Sequence, residues 1–180
     1  MRGVMIKRLI LVGCWALLAI LSNVAIAESV CVGDIPATSD EELYLEIGDG
    51  QILHRPSNLV FMRCSLGQTW ENDECTGEAA LYTWQDALQA SYGYEFAQAL
   101  GWRMPNIKEL SVIVERACVR PAVNEALFPQ TPPDDFWTST PSIIDDTRAW
   151  SMAFFNGTSS IKAKDRSLHV RLVRTRLNSE

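Results

Sequence analysis

The sequence predicts an α+β domain, with two helices packed beside small antiparallel β-sheets and two disulfides. Three observations carry that expectation. Helix-start signals occur twice in mid-chain, at Thr83 and Asn106. Apolar residues alternate with period two before and after those points. Four cysteines, Cys31, Cys64, Cys75 and Cys118, follow the leader, and an even count in an exported chain reads as two bridges. Helices followed by a run of antiparallel strands is an α+β order rather than an alternating one.

The leader is excluded from the fold. Arg2, Lys7 and Arg8 precede a long apolar run, and Ala25, Ile26 and Ala27 form a small-x-small cleavage site. Residues 1–27 are therefore expected to be a secretory signal peptide, with Glu28 the mature N-terminus and 28–180 a single domain. The expected location is the periplasm or the cell surface, with no stable membrane insertion after cleavage. "LVGC", residues 11–14, suggests the alternative of a lipoprotein anchored at Cys14, but the longer part of the apolar run lies beyond Cys14.

The full chain carries 16 Lys and Arg against 22 Asp and Glu, a net charge of −6. Three of the basic residues and none of the acidic ones belong to the leader, so 13 against 22 remain, a net charge of −9. The acid is concentrated early. Residues 28–78 hold eleven Asp and Glu against Arg55 and Arg63, whereas 147–180 hold seven Lys and Arg against Asp165 and Glu180. Such a chain repels a phosphate backbone over most of its surface, so nucleic acid is not an expected partner. The basic C-terminal stretch is expected to be a solvated strand face.

Four cysteines allow three pairings. Cys64 and Cys75 flank a short polar loop, which suits a local bridge, and Cys31 then reaches Cys118. Zinc is not expected: no CxxC spacing exists, and the only histidines are His54 and His169.

The elements follow in order. "LYLEI" and "QILHR" read as strands separated by Gly48, Asp49 and Gly50, a turn signal, and "NLVFMRC" as a third. The first helix starts at Trp84, with Thr83 as N-cap and Asp86 at the third position. Trp84, Ala87, Leu88 and Ser91 share its face, and Gly93 weakens continuation. The second helix follows "GWRMP". Pro105 drives Met104 out of the helical region, Asn106 caps, and Glu109 can complete a capping box. Leu110, Ile113, Val114 and Ala117 are spaced for one face, which predicts a helix reaching Ala117.

Beyond a Pro-rich loop, "FWTST" reads as a strand. "AWSMAFF" and "TSSIKAK" flank Asn156 and Gly157, predicting a hairpin with a type I′ turn. That turn takes precedence over the glycosylation sequon that Asn156 also begins. Trp150, Met152 and Phe154 are expected on one face, Ser151 and Ala153 on the other. "LHVRLVRTR" closes the chain as a strand, with one of Arg171 and Arg174 expected against acidic residues and the other in solvent.

Five segments, "YTWQDALQA", "GWRMPNIKEL", "PAVNEALFPQTPPDDFWTSTP", "AWSMAFFNG" and "HVRLVR", occur in the order and approximate spacing of the Lcl C-terminal domain family. The chain resembles that family over about residues 43–174, with Phe61 where the family usually has Trp. The resemblance implies an exported bacterial module with a C-type-lectin-like fold related to sulfatase-modifying factors. It also implies an adhesin-type role in binding polysaccharide, sulfated in the best-known member. A mature charge of −9 works against a sulfated ligand. The resemblance supplies no catalytic residues.

Trp102, Arg103 and Trp137 are the candidate ligand-binding residues. Arg103 could clamp an anion while Trp102 stacks on a sugar ring, and Trp137 could line the same site. The competing expectation, which the sequence favours, makes both tryptophans core and Arg103 an internal fastener to carbonyls or to Glu109. Asp134, Asp135, Asp145 and Asp146 offer oxygens for calcium but lack a metal-loop spacing, so no cofactor or metal is expected. No nucleophile elbow, Walker loop or zinc motif is present, and the chain is not expected to be an enzyme. The expected function is an exported, non-catalytic ligand-binding or adhesin-type module whose partner is a polysaccharide or an envelope protein. The alternative is a structural or accessory subunit of a surface appendage or secretion system.

Overall fold

The computed structural model describes residues 29–177; the expected signal peptide and Cys14 lie outside them. Among the described residues, two helices and eleven short strands form an α+β fold. A four-stranded antiparallel sheet has the order β11-β4-β3-β2, from β2 (Tyr44–Gly48), β3 (Gln51–His54), β4 (Leu59–Met62) and β11 (Val173–Thr175). A three-stranded antiparallel sheet has the order β10-β9-β8, from β8 (Asp135–Pro141), β9 (Arg148–Ala153) and β10 (Thr158–Ala163). Two ribbons complete the set: β5 (Thr69–Glu71) with β6 (Glu74–Thr76), and β1 (Val30–Cys31) with β7 (Cys118–Val119). The C-terminal strand thus joins the sheet begun near the N-terminus.

The disulfides are Cys64–Cys75, closing the β5–β6 ribbon region, and Cys31–Cys118, spanning 87 residues. Both elements of the second bridge are paired strands, with Cys31 opposite Cys118 in the register.

Helix α1 (Trp84–Ser91) starts as its sequence dictates, the Thr83 hydroxyl accepting from the Asp86 amide. Helix α2 (Ile107–Leu110) also starts as expected. The Asn106 side chain accepts from the amides of Lys108 and Glu109, and Glu109 accepts from the Asn106 amide at 2.8 Å. It does not reach Ala117. A 3₁₀ turn, Ser111–Ile113, ends it, and Val114 is extended with ψ 122°. Val112, Ile113 and Val114 are β-branched and resist helix continuation. Val114 instead bridges Val123, and the Glu115 amide donates to the Ala122 carbonyl at 3.0 Å. Leu110, Ile113 and Val114 are buried all the same, so the apolar spacing reported a buried face without fixing its conformation.

The β9–β10 hairpin forms, but its loop is four residues long, 154–157, rather than a two-residue type I′ turn. Only Gly157 of the pair has positive φ. Phe154 leaves the strand to be fully buried against Phe136, with ring centroids 4.9 Å apart. The Asn156 side chain accepts from the Thr158 amide and hydroxyl. Gly157 packs so closely that a Cβ would stand 2.8 Å from Val114 Cγ1. Met152 and Phe154 join the core, while Trp150 is only half-buried.

The core has two parts. One joins Ile52, Phe61, Leu110, Phe128, Phe136, Met152 and Phe154; the other joins Val60, Met62, Trp102, Met104, Trp137 and Leu172. Among the described residues, four charged side chains, Arg63, Glu115, Arg171 and Arg174, are buried with them. The expectation for Arg171 and Arg174 is corrected: neither faces solvent, and both are buried. The Arg171 guanidinium donates to the carbonyls of Met62 and Arg63 and to the Thr131 hydroxyl, and it lies over the Phe128 ring. Burial, and then the nearby Arg63 charge, push its pKa down to about 9. Arg174 donates to Gln51 and lies 5.4 Å from the centroid of the Trp102 ring.

Glu115 is buried as well. Its carboxylate accepts from the amides of Thr38, Ser39 and Ala117 and from the hydroxyls of Thr38 and Ser39. It fastens the N-terminal segment to the body. Burial alone would raise its pKa, but the bonds from Ala117, Ser39 and Thr38 outweigh burial and hold it at about 2.

Candidate functional site

The residues nominated by sequence do not themselves form an open site. Trp137 is 0% exposed, and its indole N–H donates to the Tyr82 carbonyl. Trp102 is 3% exposed, and its indole N–H donates to the Phe96 carbonyl. The Arg103 side chain is 43% exposed and makes two bonds, 2.7 and 2.8 Å, to the two oxygens of Glu109. That bidentate pair joins the capping box of α2, because the same Glu109 carboxylate accepts from Asn106. The hydrogen bond to Glu109 raises the pKa of Arg103, and the same bond lowers that of Glu109. The Arg103 backbone is tied to Val173 in both directions at 2.9 Å. Both terminal guanidinium nitrogens and both backbone polar groups of Arg103 thus have an internal use.

A concave site lies one layer outside Trp102. A cavity of about 380 Å³ is lined by Trp70, Tyr94 and Phe96, with Met62 and Cys64 among the other walls and Asp49 and Thr69 as polar groups. Its parts come from the β2–β3 turn, the β5–β6 ribbon and the loop after α1. Phe96 is held by Trp102, edge to face at 5.7 Å. Trp70 lies against the buried Arg63 guanidinium, 4.4 Å from its ring centroid. It also packs on Gly50, where a Cβ would come within 2.6 Å of the ring, so this position requires glycine. Arg63 is itself used, donating to the carbonyls of Leu127 and Ala126 and pairing with Glu46.

The polar groups divide into used and free. Gln68 also lines the cavity, but its amide accepts from the Ser65 amide and donates to the Gln130 carbonyl. Asp49 forms no ion pair among the described residues, and the Tyr94 hydroxyl no hydrogen bond. Burial raises the pKa of Tyr94, so it stays a neutral donor. The site therefore offers aromatic faces, one carboxylate and two hydroxyls. Cys64 is held in a disulfide and offers no free thiol. Among the described residues, no three His, Cys, Asp or Glu side chains converge as a metal site would require. Asp135 instead pairs with Lys162, and Asp145 with Thr147 and Arg148.

A family model for the Lcl C-terminal domain matches residues 50–174. The chain belongs to the Lcl C-terminal domain family. A comparison with curated proteins found no match. The Lcl C-terminal domain supplies every wall of the aromatic cavity except Asp49, which lies one residue before it. The Cys31–Cys118 bridge ties the preceding segment onto that domain.

Sequence inspection missed Trp70, Tyr94 and Asp49. Trp70 sits in the short polar loop that signalled a disulfide, and Tyr94 follows Gly93, where the helical pattern fades. An aromatic just outside a periodic segment was the available signal.

Proposed function

We propose that this protein is an exported, non-catalytic ligand-binding module of adhesin type, and that its cavity takes a sugar ring of a polysaccharide. The observation that carries this reading is the convergence of Trp70, Tyr94 and Phe96 with a free carboxylate at Asp49. Aromatic rings cover the apolar face of a ring, and a few placed polar groups fix its orientation. With Asp49 on the rim and no cation in the lining, an uncharged or amino-bearing sugar suits the cavity better than a sulfated one. Two disulfides accord with an oxidising compartment. Among the described residues, no helix is long and apolar enough to cross a membrane. The C-type-lectin-like architecture belongs to the same proposal, supported by two helices beside small antiparallel sheets and a C-terminal strand returned to the N-terminal sheet.

A glycan array read with wild type, Asp49→Asn and Tyr94→Phe tests it. Asn accepts the left-handed backbone of position 49 (φ 50°), so both variants should melt with wild type. The expected result is loss of a neutral-glycan signal in the Asp49 variant and weakening in the Tyr94 variant. Equal binding by all three proteins would refute the site.

A further inference from the structure

A second cavity, of about 510 Å³, lies between α2 and the β9–β10 hairpin and shares no residue with the aromatic one. Lys108, Ser111, Arg116, Thr158 and Ser159 line it, with Met152 as part of an apolar wall. The two cations are its only charged side chains. Among the described residues, neither makes an ion pair or a side-chain hydrogen bond. Two uncompensated positive charges thus face one hollow in a chain whose mature net charge is −9.

The fold itself removes the compensation. Each cation has a carboxylate beside it in sequence, and both carboxylates are committed elsewhere. Glu109, next to Lys108, pairs with Arg103 and accepts from the Asn106 amide. Glu115, next to Arg116, is buried among the amides and hydroxyls of the N-terminal fastening. Both acids turn inward and both bases remain at the cavity. The backbone that carries them is held. The Ser111 hydroxyl donates to the Lys108 carbonyl at 2.7 Å, and the Arg116 amide donates to the Thr38 hydroxyl at 2.8 Å. On the hairpin side, the Thr158 amide and hydroxyl donate to Asn156. The Ser159 hydroxyl makes no hydrogen bond among the described residues and is a further donor to the cavity.

We propose that this cavity binds a phosphomonoester, through Lys108 and Arg116. Charge selects the ligand class. Two free cations match a group that carries about −1.5 to −2 near neutrality, as a phosphomonoester does. A carboxylate, a sulfate ester or a phosphodiester carries a single negative charge and leaves the match incomplete. The donors also suit the group: a planar guanidinium fork can take two of its oxygens, and an ammonium acts as a point charge on a third. The cavity is larger than a phosphate, which leaves room along Met152 for the sugar or glycerol that bears it. The net charge of the chain gives an anion no long-range attraction, so binding rests on these contacts. The inference holds whatever the aromatic cavity binds.

Titration of the purified protein followed by backbone amide chemical shifts tests it, with glucose 6-phosphate and glucose 6-sulfate as matched probes. Glucose 6-phosphate should saturate with a Kd of about 1 mM or tighter, the scale of two charge-assisted contacts at an open site. The shifted amides should lie at 107–116 and 157–159, not at 49–97. The sulfate ester should bind about fivefold more weakly, the worth of one further charge at contact distance in water. Lys108→Gln and Arg116→Gln should each weaken glucose 6-phosphate about tenfold. Both side chains are exposed, so both variants should melt with wild type. Vesicles containing phosphatidic acid present the same monoester on a lipid. Capture by them that either variant abolishes assigns the phosphate to a headgroup, and binding of glucose 6-phosphate without capture assigns it to a saccharide. Equal affinity for phosphate and sulfate, variants that bind like wild type, or neither saturation by about 10 mM nor capture would overturn the proposal.

Discussion

Replacing Glu115 by Gln removes a charge without changing its shape, and the structure sets the size of the effect. The carboxylate faces only donors: three backbone amides and two hydroxyls. An amide at that position directs its own N–H₂ at some of them. A carboxylate held at about 2 instead of 4.5 contributes about 3 kcal/mol near neutrality. The folded pKa is the lower one, so the unfolded chain takes up the proton first. The contribution is complete above about pH 5, declines as pH falls, and is down to about 1 kcal/mol at pH 2.5. Glu115→Gln should therefore lower the melting temperature at pH 7 by about 6–12 °C. The gap to wild type should narrow by about 2 kcal/mol between pH 7 and pH 2.5. Thermal or urea melts of both proteins across that range provide the check. Comparing the two curves cancels the other carboxylates, including Glu109 and Asp145, whose pKa values are also lowered. Curves that run parallel at all pH values would refute the assignment of Glu115 as the fastener.

Three further outcomes are expected. Arg103→Ala should cost about 1–2 kcal/mol, because the pair is bidentate but half-exposed and Glu109 keeps its bond to Asn106; Arg103→Lys should recover part of it in the same melts. Arg171→Ala should cost at least about 3 kcal/mol by stranding buried carbonyls, and Arg171→Lys should restore under half, since an ammonium cannot span Met62, Arg63 and Thr131 together. Intact mass of the exported protein should start at Glu28; a lipidated mass starting at Cys14 would place it on a membrane instead.

What was legible in the sequence was local. Thr83 and Asn106 mark helix starts because a cap and its partner lie within three residues of each other. The Cys64–Cys75 bridge was legible for the same reason, eleven residues apart across a polar loop. The end of α2 was not, because Val114 leaves the helix to pair with Val123, a partner supplied by the fold. The burial of both Arg171 and Arg174 was not legible either, because the partners of Arg171 at positions 62, 63 and 131 come from distant segments. The aromatic cavity was hidden for that reason too, since its walls come from three stretches between residues 49 and 97. Trp102, which the sequence favours as core, is buried behind the wall, where it braces Phe96.

The Cys31–Cys118 bridge also determines how the protein bears load. Tension applied through residues 29 and 177 enters at Cys31 and passes across the sulfurs to Cys118, bypassing the 86 residues between them. Strands β2 to β6, both helices and the aromatic cavity lie inside that covalent ring, off the covalent line of force and loaded through β11 until it leaves β4. Only residues 119–177 can be drawn out, about 200 Å of contour at full extension against about 500 Å for the whole described chain. Pulled from its ends, the protein pays out its C-terminal sheet while the ring still limits how far the cavity-bearing half can be stretched.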